Sequence, residues 1–366
     1  MTTEIAVLGA GPAGLLAACR LAEAGFAVTV FEEHRSVGYP EHCTGIVRSD
    51  FFRTVGYSEL ESAGLDLAGY SHGYVKAMSG ADCRRIDSGA TKAIMIDRPG
   101  YEAKLEEIAH STGVSFAFGS KAALVKKDGR YMVRVGGILR GADLIVGARG
   151  VSGNPRLKTL PGLQARMVLK RPADSGGVYV AFSKELPGYF GWVAPYSGGA
   201  EAKVGLASSG TGLRRGLDVV LNAFNMKGEV KGYFGGRVVT GGCPTKIRDL
   251  NYVAVGDEAG QVKPMTGGGL GVGAVAANML ARSYSTGDTT LKEYTEWHRE
   301  RRRSLKLSEA AFRLLLRTPA TIRDWALEKA SHNPGTVRAL READFDDHTG
   351  ALRLLALNWV EALLGA

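Results

Sequence analysis

Cysteine is scarce in this sequence. Only Cys19, Cys43, Cys83 and Cys243 occur among 366 residues, and no two of them form a Cys-x-x-Cys pair. This argues against a disulfide framework and a zinc site, so no metal is predicted and a reducing, cytoplasmic location is expected. Long hydrophobic runs are also missing, since none approaches the ~20 residues that a membrane-spanning helix needs. The sequence also lacks a recognisable secretory signal or DNA- or RNA-binding motif, so no nucleic-acid partner is predicted.

Glycine and positive charge, in contrast, are plentiful. The sequence has 50 glycines and a net charge of +9 at pH 7. The glycines indicate many tight turns or close backbone–ligand approaches. The charge favours anionic partners, such as phosphorylated substrates or anionic lipid surfaces. The length is enough for two domains.

The first motif lies in residues 4–33, EIAVLGAGPAGLLAACRLAEAGFAVTVFEE. The pattern predicts a strand over 5–8, a helix over 12–24 and a second strand over 27–31. Gly9, Gly11 and Gly14 form Gly-x-Gly-x-x-Gly at the turn, with Ala13 inside it. This spacing provides a tight turn, room for a pyrophosphate and close helix–strand packing. Glu32 ends the second strand, where a carboxylate can hold ribose hydroxyls, so we predict a dinucleotide site.

A second glycine-rich motif occupies residues 251–281, NYVAVGDEAGQVKPMTGGGLGVGAVAANMLA. It predicts a strand over 252–255 and a helix that opens at the triplet Gly267, Gly268 and Gly269 and continues through about residue 282. Together the two motifs resemble FAD-binding flavoproteins of the aromatic-hydroxylase superfamily. The resemblance implies that Asp257 binds the ribitol hydroxyls, and that the helix start, including Leu270, faces the N1/O2 edge of the flavin. The alternative is a glycine run that only packs a helix closely.

Three further positions bear on this resemblance. Arg98 ends a predicted strand and resembles the flavin-contacting arginine of the superfamily, although a helix-entry residue on the surface is the alternative. Ala122 is expected to meet the adenine end of FAD. The superfamily carries an aspartate in a Gly-Ala-Asp-Gly motif, but this sequence has Arg149 there. That departure weakens the case for pyridine-nucleotide docking in the hydroxylase manner.

Short alternating runs of apolar and polar residues between about 160 and 240 predict an antiparallel sheet. We therefore expect an α/β protein with a Rossmann-type FAD-binding domain and an inserted antiparallel substrate domain, followed by C-terminal helices. The expected boundaries are 1–155 plus 241–285, 156–240 and 286–366.

The stretch LPGYFGWVAPYSGGAEAKVGL narrows the family. It resembles the Pro-x-x-Tyr-x-Trp-x-Phe-Pro motif of geranylgeranyl reductases, with Phe190 in the tyrosine position and Ala194 in the phenylalanine position. Trp192 and Pro195 match the motif, so the resemblance places Phe190, Trp192 and Pro195 at the substrate. An aromatic wall suits a polyisoprenoid, which binds by burial of apolar surface. The alternative is that these aromatics are only the core face of a strand.

The loop after the second strand carries the same resemblance. The family has a glutamate followed a few residues later by Gly-x-Pro-x-x-Cys-x-Gly, and the matching residues here are Glu33, Gly38, Pro40, Cys43 and Gly45. The resemblance places Arg35 near the adenosine and passes the loop over the flavin ring. Glu33, Cys43, Thr44 and Gly45 are then cofactor contacts, and Cys43 also faces the substrate. The alternative for Cys43 is a small buried hydrophobic residue.

The resemblance implies an FAD-dependent reductase that saturates C=C bonds of a geranylgeranyl lipid or diphosphate. Cys43 is the expected proton donor, as a neutral thiol in an apolar site, and Trp192 is expected to stabilise positive charge. NADPH, NADH and ferredoxin all remain open as the electron donor. Two rival functions also stay open: a flavin monooxygenase or halogenase, and a flavoprotein that passes electrons to a membrane quinone.

Two C-terminal features predict peripheral contact with a membrane. HRERRRSLK, residues 298–306, is strongly basic, and GALRLLALNWVEALLGA at the end predicts an amphipathic helix. The alternative for the basic run is a solvated helix face.

Overall fold

The architecture was taken from a computed structural model, which describes residues 2–76, 83–210, 212–319, 321–322, 335, 338 and 344–347. Its central element is a six-stranded sheet, parallel except at one edge where two strands pair antiparallel. In spatial order the strands are Arg248–Asp249, Tyr252–Ala254, Leu144–Gly147, Glu4–Leu8, Ala27–Phe31 and Ser115–Ala117. The predicted strand and helix bounds of the first motif agree with the observed ones within one residue.

The strand Glu4–Leu8 is buried on both faces. Its successive side chains point to opposite sides of the sheet and therefore join different clusters. Ile5 and Val7 join the core formed with the helices on one face, whereas Ala6 and Leu8 join a smaller cluster on the other face. A three-stranded antiparallel sheet covers that second face, with strands Ile138–Arg140, Arg130–Val135 and Ala123–Lys127.

A seven-stranded sheet forms the second large element. Its strands, in spatial order, are Gly228–Gly241, Lys158–Leu169, Glu201–Ala207, Gly191–Tyr196, Gly177–Ala181, His72–Lys76 and Arg84–Asp87. The first five come from the predicted antiparallel region. The other two come from an earlier part of the chain, and His72–Lys76 pairs parallel with Gly177–Ala181. Their pairing covers what would otherwise be an open sheet edge. The alternation of apolar and polar residues does not show which strand pairs at that edge.

The two faces of this sheet have different neighbours. One face packs Ala165, Val193 and Val204 against Leu217 and Val220 of the helix Leu213–Ala223. The opposite face meets the loop 38–45 and a further three-stranded antiparallel sheet, Ile46–Arg48, Ala93–Ile96 and Asp66–Tyr70. This second face therefore borders the candidate site.

The α-helices are Pro12–Glu23, Phe51–Val55, Ser58–Glu61, Arg98–Ser111, Leu213–Ala223, Leu270–Ser285 and Lys292–Arg317, and short 3-10 turns cover Gly150–Gly153, Ser197–Gly199 and Gly256–Ala259. Within the described residues, no helix has both the length and the apolar character to cross a bilayer. The predicted amphipathic helix over 350–366 lies outside the described residues.

The basic run 298–306 lies in the helix Lys292–Arg317 and is only partly a solvated face. Arg303 is exposed, but Arg301 donates to the carbonyl of Asp346 and Arg302 to that of Cys243. At least two of its arginines therefore stabilise the fold.

Candidate functional site: a dinucleotide cavity with a cysteine loop

A cavity of about 530 Å³ lies at the carboxyl ends of the parallel strands. Both glycine motifs line it, together with the loop 36–43 and part of the seven-stranded sheet at Gly236–Val239. Ligands of open α/β sheets bind at this edge because the connecting loops leave a crevice there. Twelve of the predicted cofactor residues line the cavity: Gly9, Gly11, Ala13, Glu32, Glu33, Cys43, Arg98, Ala122, Asp257, Gly267, Gly269 and Leu270.

The first glycine motif forms a cradle that fits a pyrophosphate. Gly9 has φ +108°, and a side chain there would overlap the carbonyl of Ala148. Gly14 allows close packing, since a Cβ at this position would overlap the Gly9 carbonyl. A Cβ on Gly11, in contrast, would meet no protein atom within 4 Å. Gly11 therefore presents bare backbone to open space at the start of the helix Pro12–Glu23, where free N–H groups favour an anion.

Glu32 is buried at the end of the second strand and orders the same turn. Its Oε2 accepts from the Ala10 N–H at 2.7 Å, and its Oε1 accepts from the His34 N–H at 2.9 Å. Oε1 also lies 2.6 Å from Nδ1 of His34, so one of the about four acceptor positions of the carboxylate remains for a hydroxyl group. Glu33 is exposed and pairs with Lys121 at 2.8 Å, and this hydrogen bond lowers the pKa of the Glu33 carboxyl. Arg35 is exposed and does not line the cavity, unlike Ala122.

The second motif meets the first inside the cavity. A Cβ on Gly256 would lie 2.9 Å from that of Ala13, and one on Gly269 would lie 2.9 Å from Oδ1 of Asp257. Burial raises the pKa of Asp257, although the positive charge of Arg98 acts in the opposite direction. Gly269 is the N-cap of the helix Leu270–Ser285, and its neighbour Gly268 faces Lys263 instead of the cavity. A second anion-favouring helix start thus reaches the cavity beside a carboxylate.

Cys43 lines the cavity from the loop 36–43, and its sulfur accepts from the Gly45 N–H at 3.4 Å. Gly45 itself has φ +86°, and a Cβ there would lie 2.6 Å from the Ile96 carbonyl, so it shapes the loop without lining the cavity. The surroundings of the thiol are not the apolar ones predicted, because Arg98 contacts it. Burial would lower the pKa of Arg98, but the charge of Glu102 and the hydrogen bonds to Glu102 and Cys43 outweigh that effect and raise it. Glu102 lies 2.6 Å from the Arg98 guanidinium and fixes it beside the sulfur.

A set of polar residues holds the Cys43 loop on the seven-stranded sheet, and three of them that were not predicted from the sequence are buried: Glu41, Gln164 and Lys203. Lys203 is buried, and its Nζ donates to Glu41 at 2.8 Å and to the Thr44 carbonyl at 3.0 Å. The Thr44 hydroxyl donates to Gln164 at 2.6 Å, and Arg166 also pairs with Glu41. Gln164 and Arg166 are two residues apart, so they share one sheet face. A period-two polar pattern in an otherwise apolar strand was the available signal.

Arg149, the departure from the superfamily pattern, lines the cavity and is ion-paired with Glu258. Glu258 is buried, and it accepts from the backbone N–H of Arg149 at 2.7 Å and from its guanidinium. Tyr252 donates to the same carboxylate at 2.5 Å. The guanidinium therefore neutralises the acid next to Asp257. The adjacent acids Asp257 and Glu258 were the sequence signal for such a cation.

The predicted substrate aromatics lie next to the cavity and do not line it. A Cβ on Gly205 would lie 2.5 Å from Trp192 and 2.7 Å from Gln164, and Gln164 in turn bonds to Thr44, so the indole lies in the neighbourhood of the Cys43 loop. The buried indole Nε1 of Trp192 has no hydrogen-bond partner among the described residues. Of the two residues predicted to be catalytic, Cys43 lines the cavity and Trp192 does not.

The other two predicted substrate residues, Phe190 and Pro195, make the contacts of core residues. Phe190 stacks on Tyr189 at 4.3 Å between ring centroids, in a cluster with Phe312. Pro195 is buried in its strand, and its carbonyl accepts from the Tyr70 hydroxyl at 2.7 Å. For these two residues, the core-face alternative describes the observed contacts.

Known domain patterns and solved structures show which fold this chain shares with other proteins. The pattern of the NAD(P)-binding Rossmann-like domain matches residues 7–47. The fold is shared with a geranylgeranyl bacteriochlorophyll reductase-like protein of Thermoplasma acidophilum, with a TM-score of 0.80, 19% identity and coverage of 97% of this chain and 96% of that one. A flavin-dependent brominase also shares it, with a TM-score of 0.70, 14% identity and full coverage of both chains. The chain therefore shares its fold with these two proteins.

Sequence similarity identifies the nearer relatives. The chain is 27% identical to a digeranylgeranylglycerophospholipid reductase of Methanosarcina acetivorans over 329 residues, which cover 81% of this chain and 80% of that protein. The resemblance to the geranylgeranyl reductase family that the sequence motifs indicate is confirmed. The similarity also supports the interpretation of this chain as a reductase of the flavoprotein type.

Proposed function

We propose that this protein is an FAD-dependent reductase that saturates C=C bonds of geranylgeranyl chains in an isoprenoid phospholipid. The observation that carries the proposal is the placement of Cys43 on the wall of the cavity that both glycine motifs form. A thiol at that position pairs a proton source with a dinucleotide site. The reductases to which the chain is similar over four fifths of its length support the same function.

The described residues suit FAD. Gly11 and the start of the helix Pro12–Glu23 would hold the pyrophosphate, Glu32 the adenosine ribose and Asp257 the ribitol. The second helix start, at Gly269, would favour negative charge on the pyrimidine edge. When bound and reduced, FAD supplies a hydride equivalent to one carbon of the alkene.

Cys43 would supply the proton for the other alkene carbon. An isolated alkene has no carbonyl to store negative charge, so proton delivery must accompany the addition. The S–H bond breaks as the new C–H bond forms, and solvent later returns a proton to the thiolate. Arg98, held by Glu102, would stabilise the transient thiolate by its charge. Arg98 is then as much a part of proton delivery as the thiol.

The electron donor and the membrane contact belong to the same proposal. NADPH, NADH and ferredoxin are the candidate donors, and the Arg149 guanidinium is already ion-paired with Glu258. Exposed basic residues such as Arg303 would attract an anionic membrane surface, from which the lipid substrate is taken.

The experiment is anaerobic reduction of the purified protein, followed by mixing with digeranylgeranylglyceryl phosphate and mass spectrometry of the lipid. Each saturated double bond adds the mass of two hydrogen atoms. Parallel samples receive oxygen with an aromatic substrate, or a quinone. Reoxidation by one of these partners, with an unchanged lipid, would contradict the proposal and favour the monooxygenase or the quinone-linked alternative.

A further inference from the structure

Arg149 lies between a buried acid and the wall of the cavity. Its side chain is 22% exposed, and it lines the cavity together with residues 150–152. On the protein side, its Nε donates to one carboxylate oxygen of Glu258 at 3.2 Å, and a terminal nitrogen donates to the other oxygen. This two-point contact fixes the orientation of the guanidinium group.

The Glu258 carboxylate is enclosed by protein, and its hydrogen-bonding capacity is filled. It accepts from the backbone N–H of Arg149, twice from the guanidinium and once from the Tyr252 hydroxyl, which accounts for its about four acceptor positions. Two glycines make room for it, since a Cβ on Gly147 would lie 2.6 Å from Oε1 and one on Gly153 would overlap the carboxylate. Glu258 does not line the cavity, so only the cation of this pair borders it.

The guanidinium keeps hydrogen-bonding capacity after these contacts. Of its five N–H groups, Glu258 takes two, and Tyr252 also contacts the group. Two N–H groups therefore have no partner among the described residues. Burial alone would lower the pKa of Arg149, but the hydrogen bonds and charge of Glu258 raise it, so the group stays charged. A fixed, charged pair of donors suits a phosphate group.

The backbone places these donors at the first glycine motif. Arg149 follows the strand Leu144–Gly147, which pairs in parallel with the strand Glu4–Leu8. A Cβ on Gly9 would overlap the carbonyl of Ala148 and would lie 3.2 Å from the backbone nitrogen of Arg149. Arg149 thus lies directly beside the turn that forms the pyrophosphate cradle.

We propose that Arg149 binds the diphosphate of the dinucleotide, so that one guanidinium neutralises Glu258 and holds a phosphate oxygen at the same time. This inference rests on the proposed use of FAD. Gly11 and the start of the helix Pro12–Glu23 offer N–H groups with only a partial positive charge, whereas Arg149 adds a full charge. The superfamily has an aspartate at this position, and an ionised aspartate cannot donate to a phosphate. The exchange therefore adds a phosphate contact.

The test separates this contact from the role of Arg149 in stability. It compares Glu258→Gln with the double variant Arg149→Met/Glu258→Gln, because both lack the buried acid and only the first keeps the arginine. Arg140→Met removes the same charge from an exposed strand position outside the cavity and is the matched control. The full-length, FAD-free proteins are titrated with FAD, ADP and adenosine by isothermal calorimetry.

From Glu258→Gln to the double variant, we expect the dissociation constants of FAD and ADP to rise about 10- to 100-fold, the range for a lost hydrogen bond to a charged group. The dissociation constant of adenosine, which has the same base and ribose but no phosphate, should stay the same. FAD binding by the double variant should also depend less steeply on salt, since one cation–phosphate attraction is lost. Arg140→Met should match wild type in every titration.

If the double variant does not fold, Arg149→Lys/Glu258→Gln takes its place. This variant should show a smaller loss for FAD and ADP in the same direction, because an ammonium cannot reproduce the two-point contact. Equal losses for ADP and adenosine would overturn the inference, since they would indicate a general change of the cavity. Unchanged FAD and ADP binding, with a loss only for NADPH or for geranylgeranyl diphosphate, would assign the arginine to another phosphate and would also overturn it.

These titrations need no turnover, so failures of the two proposals are distinguishable. A wild-type protein that binds FAD but reduces no lipid overturns the proposed function alone. A wild-type protein that reduces the lipid, while the double variant binds FAD and ADP as tightly as Glu258→Gln does, overturns this inference alone.

Discussion

Replacing Arg149 by methionine should destabilise the protein strongly, because it leaves the buried Glu258 carboxylate without its cation. Glu258 is 2% exposed, and its remaining donors would be the Tyr252 hydroxyl and one backbone N–H. Removal of one partner from a buried ion pair costs about 3–5 kcal/mol. Domain stabilities are about 5–15 kcal/mol, so the loss would be a large fraction of the total.

Urea unfolding, followed by circular dichroism on the FAD-free protein, measures this loss. The double variant Arg149→Met/Glu258→Gln is the informative control, since it removes both charges and should recover most of the stability. Arg149→Lys should lie in between, because an ammonium cannot reproduce the fork of the guanidinium. A loss below about 1 kcal/mol in Arg149→Met, the range of exposed ion pairs, would refute the role assigned to this residue.

Three further outcomes are expected. FAD should copurify without a covalent link. Asp257→Ala should weaken FAD binding by about 1–3 kcal/mol, because a ribitol hydroxyl loses its acceptor. Absorbance after dialysis measures the flavin that is retained, and retention as tight as in wild type would contradict this. Burial would raise the pKa of Glu309, but hydrogen bonds from Lys158 and Lys306 outweigh it and lower the pKa from 4.5 to about 2. The stability that this group contributes is therefore present above about pH 4.5 and is lost as the pH falls towards 2. In Glu309→Gln, the unfolding midpoint should therefore change less with pH in this acidic range than it does in wild type. An unchanged pH dependence would argue against this role of Glu309. The fraction of protein that floats with anionic liposomes should decrease at high salt, since each basic residue near the membrane surface contributes about 1 kcal/mol to binding. Equal binding to neutral and anionic liposomes at low and high salt would contradict an electrostatic contribution.

The sequence predicted the parts of the fold that depend on short-range geometry. The turn at Gly9 and Gly11 leads from strand to helix within a few residues, and its shape follows from the glycine spacing alone. The helix start at Gly269 is equally local. The first motif could therefore be placed on the cavity from residue types and order, whereas the second was placed there by the resemblance to FAD-binding flavoproteins.

Partners that are distant in sequence were not predictable in the same way. The pairing of His72–Lys76 with Gly177–Ala181 depends on which strand edge is free, and the sequence does not encode that locally. The environment of Cys43 differed for a similar reason, because Arg98 approaches it from a separate helix. Phe345 is the extreme case, because it packs against a buried cluster that includes Ala194 of the seven-stranded sheet, about 150 positions earlier in the chain.

The central claim is that Cys43 delivers a proton during alkene reduction in this cavity. Single-turnover mixing of reduced wild type, Cys43→Ala and Cys43→Ser with a geranylgeranyl phospholipid tests it most directly. We predict that Cys43→Ala binds FAD and is reduced by the electron donor at nearly the wild-type rate, whereas its reoxidation by the alkene falls about 10²-fold or more. Cys43→Ser should lie in between, because a hydroxyl can relay a proton but is a weaker acid than a thiol. Reoxidation of Cys43→Ala at the wild-type rate would contradict the claim and leave Cys43 with a packing role in its loop.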